Sequence, residues 1–357
     1  MFVNELYIYQ FKNYVEKHFQ FDENIICVTG KNGSGKTSLL DAIYFLCFTK
    51  SYFVHIDSMC ISYEKKGMKL SSNISKEKPE NIQCIIRENG KKEFSVDNEI
   101  YSQLSKHIGK YPVVIITPDD TQLITEGSEF RRKFLDILIS QIDINYMLNL
   151  MSYNKVLQQR NALLKRNTEY NNQVNSILDV YDEQLSKYAE YIYNLRKKFT
   201  DLIQKKSCDI YNRLSKENEI VDIEYLSHLH QEDFNLVLQK NRQKDIITQR
   251  SNYGIHKDDL SFKIHKMSMK TTASQGQRKT FLFSLKLAQF EILKEFCKHT
   301  PLLLLDDIFE KLDENRSVEL IKYIANCPTQ IFITDTHKQR LIEAFEKTQK
   351  KIQWIEL

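Results

Sequence analysis

Gly30-Lys31-Asn32-Gly33-Ser34-Gly35-Lys36-Thr37-Ser38 fills every required position of the phosphate-binding pattern G-x-x-x-x-G-K-[ST]. The glycines permit tight turns that aim backbone N–H groups at an anion, at the positive end of the helix that follows. Lys36 is the residue that reaches β- and γ-phosphates, and the Thr37 hydroxyl is a ligand for Mg²⁺. The flanks agree with that use. Ile25-Ile26-Cys27-Val28 reads as a short buried strand, and Leu39 to Leu46 continues as a helix. Far downstream, Leu302-Leu303-Leu304-Leu305-Asp306-Asp307 is an apolar run ending in two carboxylates. By itself it also describes a buried strand ending in a solvated turn. In a chain that holds a phosphate loop it reads as a Walker B element. Asp306 would then hold Mg²⁺, directly or through water, and Asp307 would orient the attacking water.

These groups need a framework that brings distant segments together. Glu5 to Tyr9 and Val15 to Phe21 alternate as strands do, Asn89-Gly90 marks a hairpin, and Val113 to Ile116 reads as another buried strand. From Ser128 to about Lys216 glycine and proline all but vanish. Val174, Ile177, Leu178, Tyr181, Leu185, Tyr188, Ile192, Leu195, Phe199 and Leu202 recur at helical spacing. The stripe is too short for an extended coiled coil, so it predicts helices packed in a compact lobe. Phosphate-binding residues near the start and acidic residues near the end predict an α/β fold with a split ATPase lobe, 1–118 and 250–357. A mainly helical lobe, 119–249, is inserted into it.

Composition narrows the class. The 357 residues carry a net charge of +4, too little to announce a nucleic-acid-binding domain but enough for one basic face balanced elsewhere. Seven scattered cysteines without a C-x-x-C pair point to a reduced, cytoplasmic setting and away from zinc. No apolar run approaches a membrane span. The basic clusters are Lys65-Lys66, Lys91-Lys92, Arg131-Arg132-Lys133, Lys165-Arg166, Arg196-Lys197-Lys198 and Lys205-Lys206. Taken singly, each reads first as a solvated face.

Ser274-Gln275-Gly276-Gln277 precedes a helical stretch from Arg278 to Cys297. Alone it is an ordinary helix start, with Ser274 suited to an N-cap. It lies about thirty residues before the acidic pair, where ATP-binding-cassette proteins keep a Ser-Gly-Gly-Gln signature that meets the γ-phosphate bound by the opposite subunit. Leu312-Asp313 stands where that superfamily has its D-loop. Together with Phe11-Lys12-Asn13-Tyr14, Phe130 to Asp136, His256-Lys257-Asp258-Asp259-Leu260 and Ile331 to Thr336, these motifs resemble the RecF family of bacterial DNA replication and repair proteins over nearly the whole chain.

The resemblance implies a cassette-type head with an inserted helical lobe and two ATPs sandwiched in a homodimer. It implies nucleotide contacts from Lys12, Asn13 and Gly30 to Ser38, with the Ser274-Gln275-Gly276-Gln277 signature acting in trans and Asp313 in the D-loop. It implies DNA binding at junctions of duplex and single strand, slow DNA-stimulated hydrolysis with ATP and Mg²⁺, and RecR and RecO as partners. Arg131, Arg132, Lys65 and Lys66 are the candidate DNA contacts. Two other readings remain. A transporter subunit would carry Glu at 307 and a switch His directly after Thr334, whereas this chain has Asp307, Asp335 and Thr336, with His337 later. An ATP-gated scaffold that recruits repair proteins with negligible turnover shares nearly every motif.

Overall fold

Ile25–Thr29, Val113–Ile116, Leu302–Leu305 and Ile331–Asp335 carry apolar residues on both faces, and in the computed structural model all four are buried strands of one parallel sheet. The structure describes residues 1–357 except 167–171, 216–218, 231–232 and 309–313. Its strands, in chain order, are β1 (Phe2–Phe11), β2 (Tyr14–Gln20), β3 (Ile25–Thr29), β4 (Met68–Ser75), β5 (Pro79–Ile86), β6 (Lys92–Val96) and β7 (Glu99–Ile100). They continue with β8 (Val113–Ile116), β9 (Val221–Leu226), β10 (Asp259–Ile264), β11 (Met267–Ser268), β12 (Leu302–Leu305), β13 (Ile331–Asp335) and β14 (Ile352–Glu356).

The chain divides into two compact units. The first comprises 1–121, 209–218 and 274–357 and holds two sheets. One is antiparallel, ordered β2-β1-β4-β5-β6-β7, and the other is parallel, ordered β14-β3-β13-β12-β8. The helix Lys36–Phe48 belongs to the core they share. It packs among Leu6, Ile8 and Leu70 of one sheet and Ile26, Val28, Leu304 and Phe332 of the other. That explains its sequence, which is apolar around nearly the whole circumference rather than along one stripe.

The second unit comprises 122–208 and 219–273. It contains the helices Ser128–Ile142 and Ile144–Arg166, most of the 44-residue helix Asn172–Ser215, and the sheet β11-β10-β9. Residues 250–273, expected with the ATPase lobe, cluster here instead. The reason is a ladder: β10 pairs antiparallel with β9 from Asp259↔Leu226 to Ile264↔Val221. Residues 209–218, expected in the inserted lobe, cluster with the first unit.

The expected stripe on the long helix is half right. Val174, Leu178, Leu185, Ile192 and Phe199 are buried, but Ile177 is 39% exposed. The buried seam instead runs Leu178, Asp182, Leu185, Ala189, Ile192, Arg196, Phe199 and Ile203, so two charged residues occupy core positions. Each is matched. Asp182 receives Arg160 Nε at 2.7 Å and Arg242 Nη2 at 2.7 Å. Arg196 reaches Asp136 at 2.9 Å and Asp258 at 2.8 Å. Charges this deep persist only when paired and hydrogen-bonded.

Candidate active site

The phosphate loop leaves β3 and enters the helix at Lys36. Gly33 (φ 81°) and Gly35 (φ 108°) take left-handed conformations that a side chain would resist. A Cβ on Gly35 would also lie 2.8 Å from the Tyr14 ring. Tyr14 and its neighbour grip the loop: Asn13 Nδ2 donates to the Gly33 carbonyl and Tyr14 OH to the Gly35 carbonyl, both at 3.1 Å. This gives the Phe11-Lys12-Asn13-Tyr14 motif a physical task, with Tyr14 a participant that spacing alone did not single out.

Lys36 is buried and folds back over the loop, donating to the carbonyls of Gly30 at 2.9 Å and Lys31 at 3.1 Å. The Ser34 hydroxyl oxygen is buried with no hydrogen-bond partner. An ammonium resting on carbonyls and an orphaned hydroxyl in one loop are groups that a phosphate would complete. Residues Gly30 to Ser34 line a cleft of about 510 Å³ with Thr336 and Lys338.

The acidic strand arrives beside this loop. Thr37 Oγ1 lies 2.9 and 3.1 Å from the two Asp306 oxygens, and Thr334 Oγ1 donates to Asp306 Oδ1 at 2.7 Å. Burial pushes the Asp306 carboxyl above its usual range. The Thr334 and Thr37 hydrogen bonds work against the rise, and the neighbouring Asp307 adds to it. A hydroxyl and a carboxylate are hard oxygen donors, the set a small divalent cation takes. Asp307 departs from the strand at φ 43°, and its N–H donates to Thr334 Oγ1 at 2.9 Å. It lines a second cleft, about 280 Å³, with Asn32, Asp335, Thr336, His337 and Arg340. Thr334, not singled out as a site residue in the sequence, therefore ties the Asp306 carboxylate and the Asp307 backbone to β13. His337 is exposed at this cleft.

Ser274 caps the helix Gln275–Phe296 with a full capping box. Gln277 N–H donates to Ser274 Oγ at 3.2 Å, and Ser274 N–H donates to Gln277 Oε1 at 2.7 Å. Ser274 and Gln275 are exposed at the helix N-terminus. Asp313 of the expected D-loop lies outside the described residues.

Other expected contacts are engaged elsewhere. Lys12 Nζ pairs with the fully buried Asp41 at 2.7 Å. Arg131 clamps Asp259 through Nε at 2.6 Å and Nη2 at 3.1 Å, and donates to the carbonyls of Leu123 and Glu126. Arg132 donates to the Asp258 carbonyl at 2.7 Å. Both arginines thus hold the second unit together, a task that the expectation of DNA contact did not include. Arg196, read as part of a solvated basic cluster, is the buried hub described above. Lys65 and Lys66 are exposed, with Lys66 paired to Glu88 at 2.7 Å.

The family model described as RecF/RecN/SMC N terminal domain matches residues 2–354. The DNA replication and repair protein RecF of Flavobacterium johnsoniae is 42% identical over 347 residues, covering 95% of each chain. The chain belongs to the RecF family. The RecF of Cytophaga hutchinsonii is 39% identical, covering 98% of this chain and 93% of that one. A solved RecF–ATP complex, described as a recombination mediator protein of the RecFOR pathway, superposes at a TM-score of 0.87. It shares 29% identity and covers 94% of this chain and 92% of its own. An Smc head bound to the C-terminal winged-helix domain of ScpA, at 14% identity and a TM-score of 0.56, shares the fold alone. RecF membership places the chain among ATP-binding-cassette-type ATPases of DNA replication and repair. No helix among the described residues is long and apolar enough to cross a membrane.

Proposed function

We propose that the chain is an ATP-driven DNA clamp of recombinational repair, acting in the cytoplasm at gaps where duplex meets single strand. Two copies would close on two ATPs, each held by one copy's loop and the other's Ser274-Gln275-Gly276-Gln277 segment. Gly30 to Ser38 would cradle the phosphates. Lys36 would exchange its carbonyl contacts for β- and γ-phosphate oxygens, and the Ser34 hydroxyl would gain a partner. Thr37 and Asp306 would hold Mg²⁺, which would neutralise phosphate charge. Asp307 would orient the attacking water, and slow hydrolysis would reopen the dimer. RecR and RecO would be the protein partners, a proposal supported by the RecFOR pathway named for the solved relatives.

One observation carries this proposal furthest. The signature serine is exposed at a capped helix N-terminus, where backbone amides and a hydroxyl suit an incoming γ-phosphate. Light scattering with and without ATP and Mg²⁺ tests it on the wild type and on Ser274→Arg. ATP should double the mass of the wild type alone. A wild type that stays monomeric refutes the sandwich.

A further inference from the structure

Lys12 and Asp41 open a chain of polar contacts that nucleotide chemistry leaves unexplained. Lys12 stands on the turn whose next two residues hold the carbonyls of Gly33 and Gly35. Its ammonium meets Asp41, a residue of the helix Lys36–Phe48 with no exposed surface. Asp41 in turn fixes the following loop, accepting from Ser51 Oγ at 2.7 Å and from the Tyr52 N–H at 2.8 Å. The Tyr52 hydroxyl donates to Asp120 and accepts from Lys286 Nζ at 2.9 Å. Lys286 completes its donors on Asp120 Oδ1 at 2.9 Å and the Ile115 carbonyl at 3.0 Å. Asp120 Oδ2 accepts from the Thr117 N–H at 2.7 Å, just past the end of β8. Lys286 belongs to the helix that Ser274 caps.

Every member lies in the first unit, so the path from phosphate loop to signature helix runs inside one protomer. Lys286 is 4% exposed and Asp120 is 7% exposed. An ammonium held by three acceptors at that depth cannot shift without stranding a charge, so the links move together. We propose that Lys12, Asp41, Tyr52, Asp120 and Lys286 form a positioning chain. It couples nucleotide at a protomer's own loop to the setting of the signature helix that the protomer presents to its partner. The inference rests on the sandwich-dimer proposal. It adds that ATP makes a protomer competent to pair through this chain, as a coupling between two sites carried by a contiguous network.

Tyr52→Phe tests it with little collateral damage. The variant keeps the ring against Tyr44 and Phe53 and keeps the Lys286–Asp120 pair, so one link is cut and no charge is orphaned. ATP and ADP binding by the monomer should stay within about twofold of wild type. The dimer dissociation constant in saturating ATP should rise by about tenfold, within the range set by the two hydrogen bonds that the hydroxyl loses. Lys286→Met should weaken pairing as well, and the double variant should be no worse than the weaker single, because both act along one path. Where Lys286→Met fails to fold, Tyr52→Phe decides alone. Wild-type dimerisation by Tyr52→Phe overturns the coupling while leaving the sandwich intact. A wild type that never dimerises overturns the sandwich and the coupling with it.

Discussion

Replacing Arg196 by methionine should loosen two sequence motifs at once. The guanidinium is 2% exposed and donates to Asp136 at 2.9 Å, Asp258 at 2.8 Å, the Ile255 carbonyl at 2.7 Å and Tyr146 OH at 3.0 Å. Methionine keeps much of the stem's apolar bulk and removes the charge. Asp258, 1% exposed, then loses its cation but keeps the Tyr225 hydroxyl at 2.5 Å. Burial already pushes the Asp258 carboxyl up, and Arg196 is the largest influence holding it down. An uncompensated buried charge costs about 3–5 kcal/mol. Loss of its four hydrogen bonds as ordinary ones, at about 1 kcal/mol each, would reach a similar total, so recovery in a double variant is what separates the two causes. Hydrogen exchange over Phe130 to Asp136 and His256 to Leu260, both in the second unit, reads the difference locally. A loss near 4 kcal/mol lowers protection by roughly a thousandfold. Asp258→Asn added to Arg196→Met should restore part of it, since the deeper of the two carboxylates left without a cation is gone and only the part-exposed Asp136 remains. A loss below about 1 kcal/mol, or no recovery in the double variant, would refute the claim that Arg196 neutralises a buried charge there.

Three further outcomes are expected. Asp307→Asn, a residue type at ease at φ 43°, should keep ATP binding and the doubled mass while hydrolysis falls by about a hundredfold or more; turnover at the wild-type rate would remove Asp307 from the chemistry. Lys65→Ala and Lys66→Ala should each shallow the salt dependence of DNA affinity by roughly 0.9 in the log–log slope, whereas Arg131→Ala should lower stability and leave that slope alone. The raised Asp306 carboxyl makes a signed pH prediction: the folded state binds its proton more readily, so its contribution to stability is fully present below the ordinary aspartate range and is lost as pH rises through the raised value. The stability of nucleotide-free wild type relative to Asp306→Asn should therefore decline with rising pH across that window. A flat difference in paired denaturation curves would contradict it.

Local signals were legible in the sequence because they are local. The phosphate loop is contiguous, its turns need glycine at fixed positions, and the strands on either side are too apolar to be anything but buried. The pairing of Thr37 with Asp306 followed from the motifs, but its clamp did not. Thr334 sits in an apolar strand, and nothing in Ile331-Phe332-Ile333-Thr334 says that its hydroxyl joins the Asp306 carboxylate to the Asp307 N–H. Arg196 was misread, and Asp182 passed over, for a related reason. Charge on a helix ordinarily marks the wet face, and only the tertiary fold reveals a matching Arg160, Asp136 or Asp258. The boundary at residue 250 failed because β10 finds its ladder partner in β9, a choice made by hydrogen bonding between distant segments rather than by composition.

β13 lies between β3 and β12, so the phosphate loop and the acidic pair are separated by two strand intervals. Each interval is about 4.8 Å, fixed by backbone hydrogen bonds that are nearly the same whatever the side chains. The backbones that carry the phosphate loop and the acidic pair thus stand a ruled distance of about 10 Å apart, graduated in whole strands. Side-chain substitution can change what fills that spacing but not the spacing itself. Thr37 and Asp306 meet across that spacing only because their side chains reach inward from its two ends, with Thr334 as the rung at the centre.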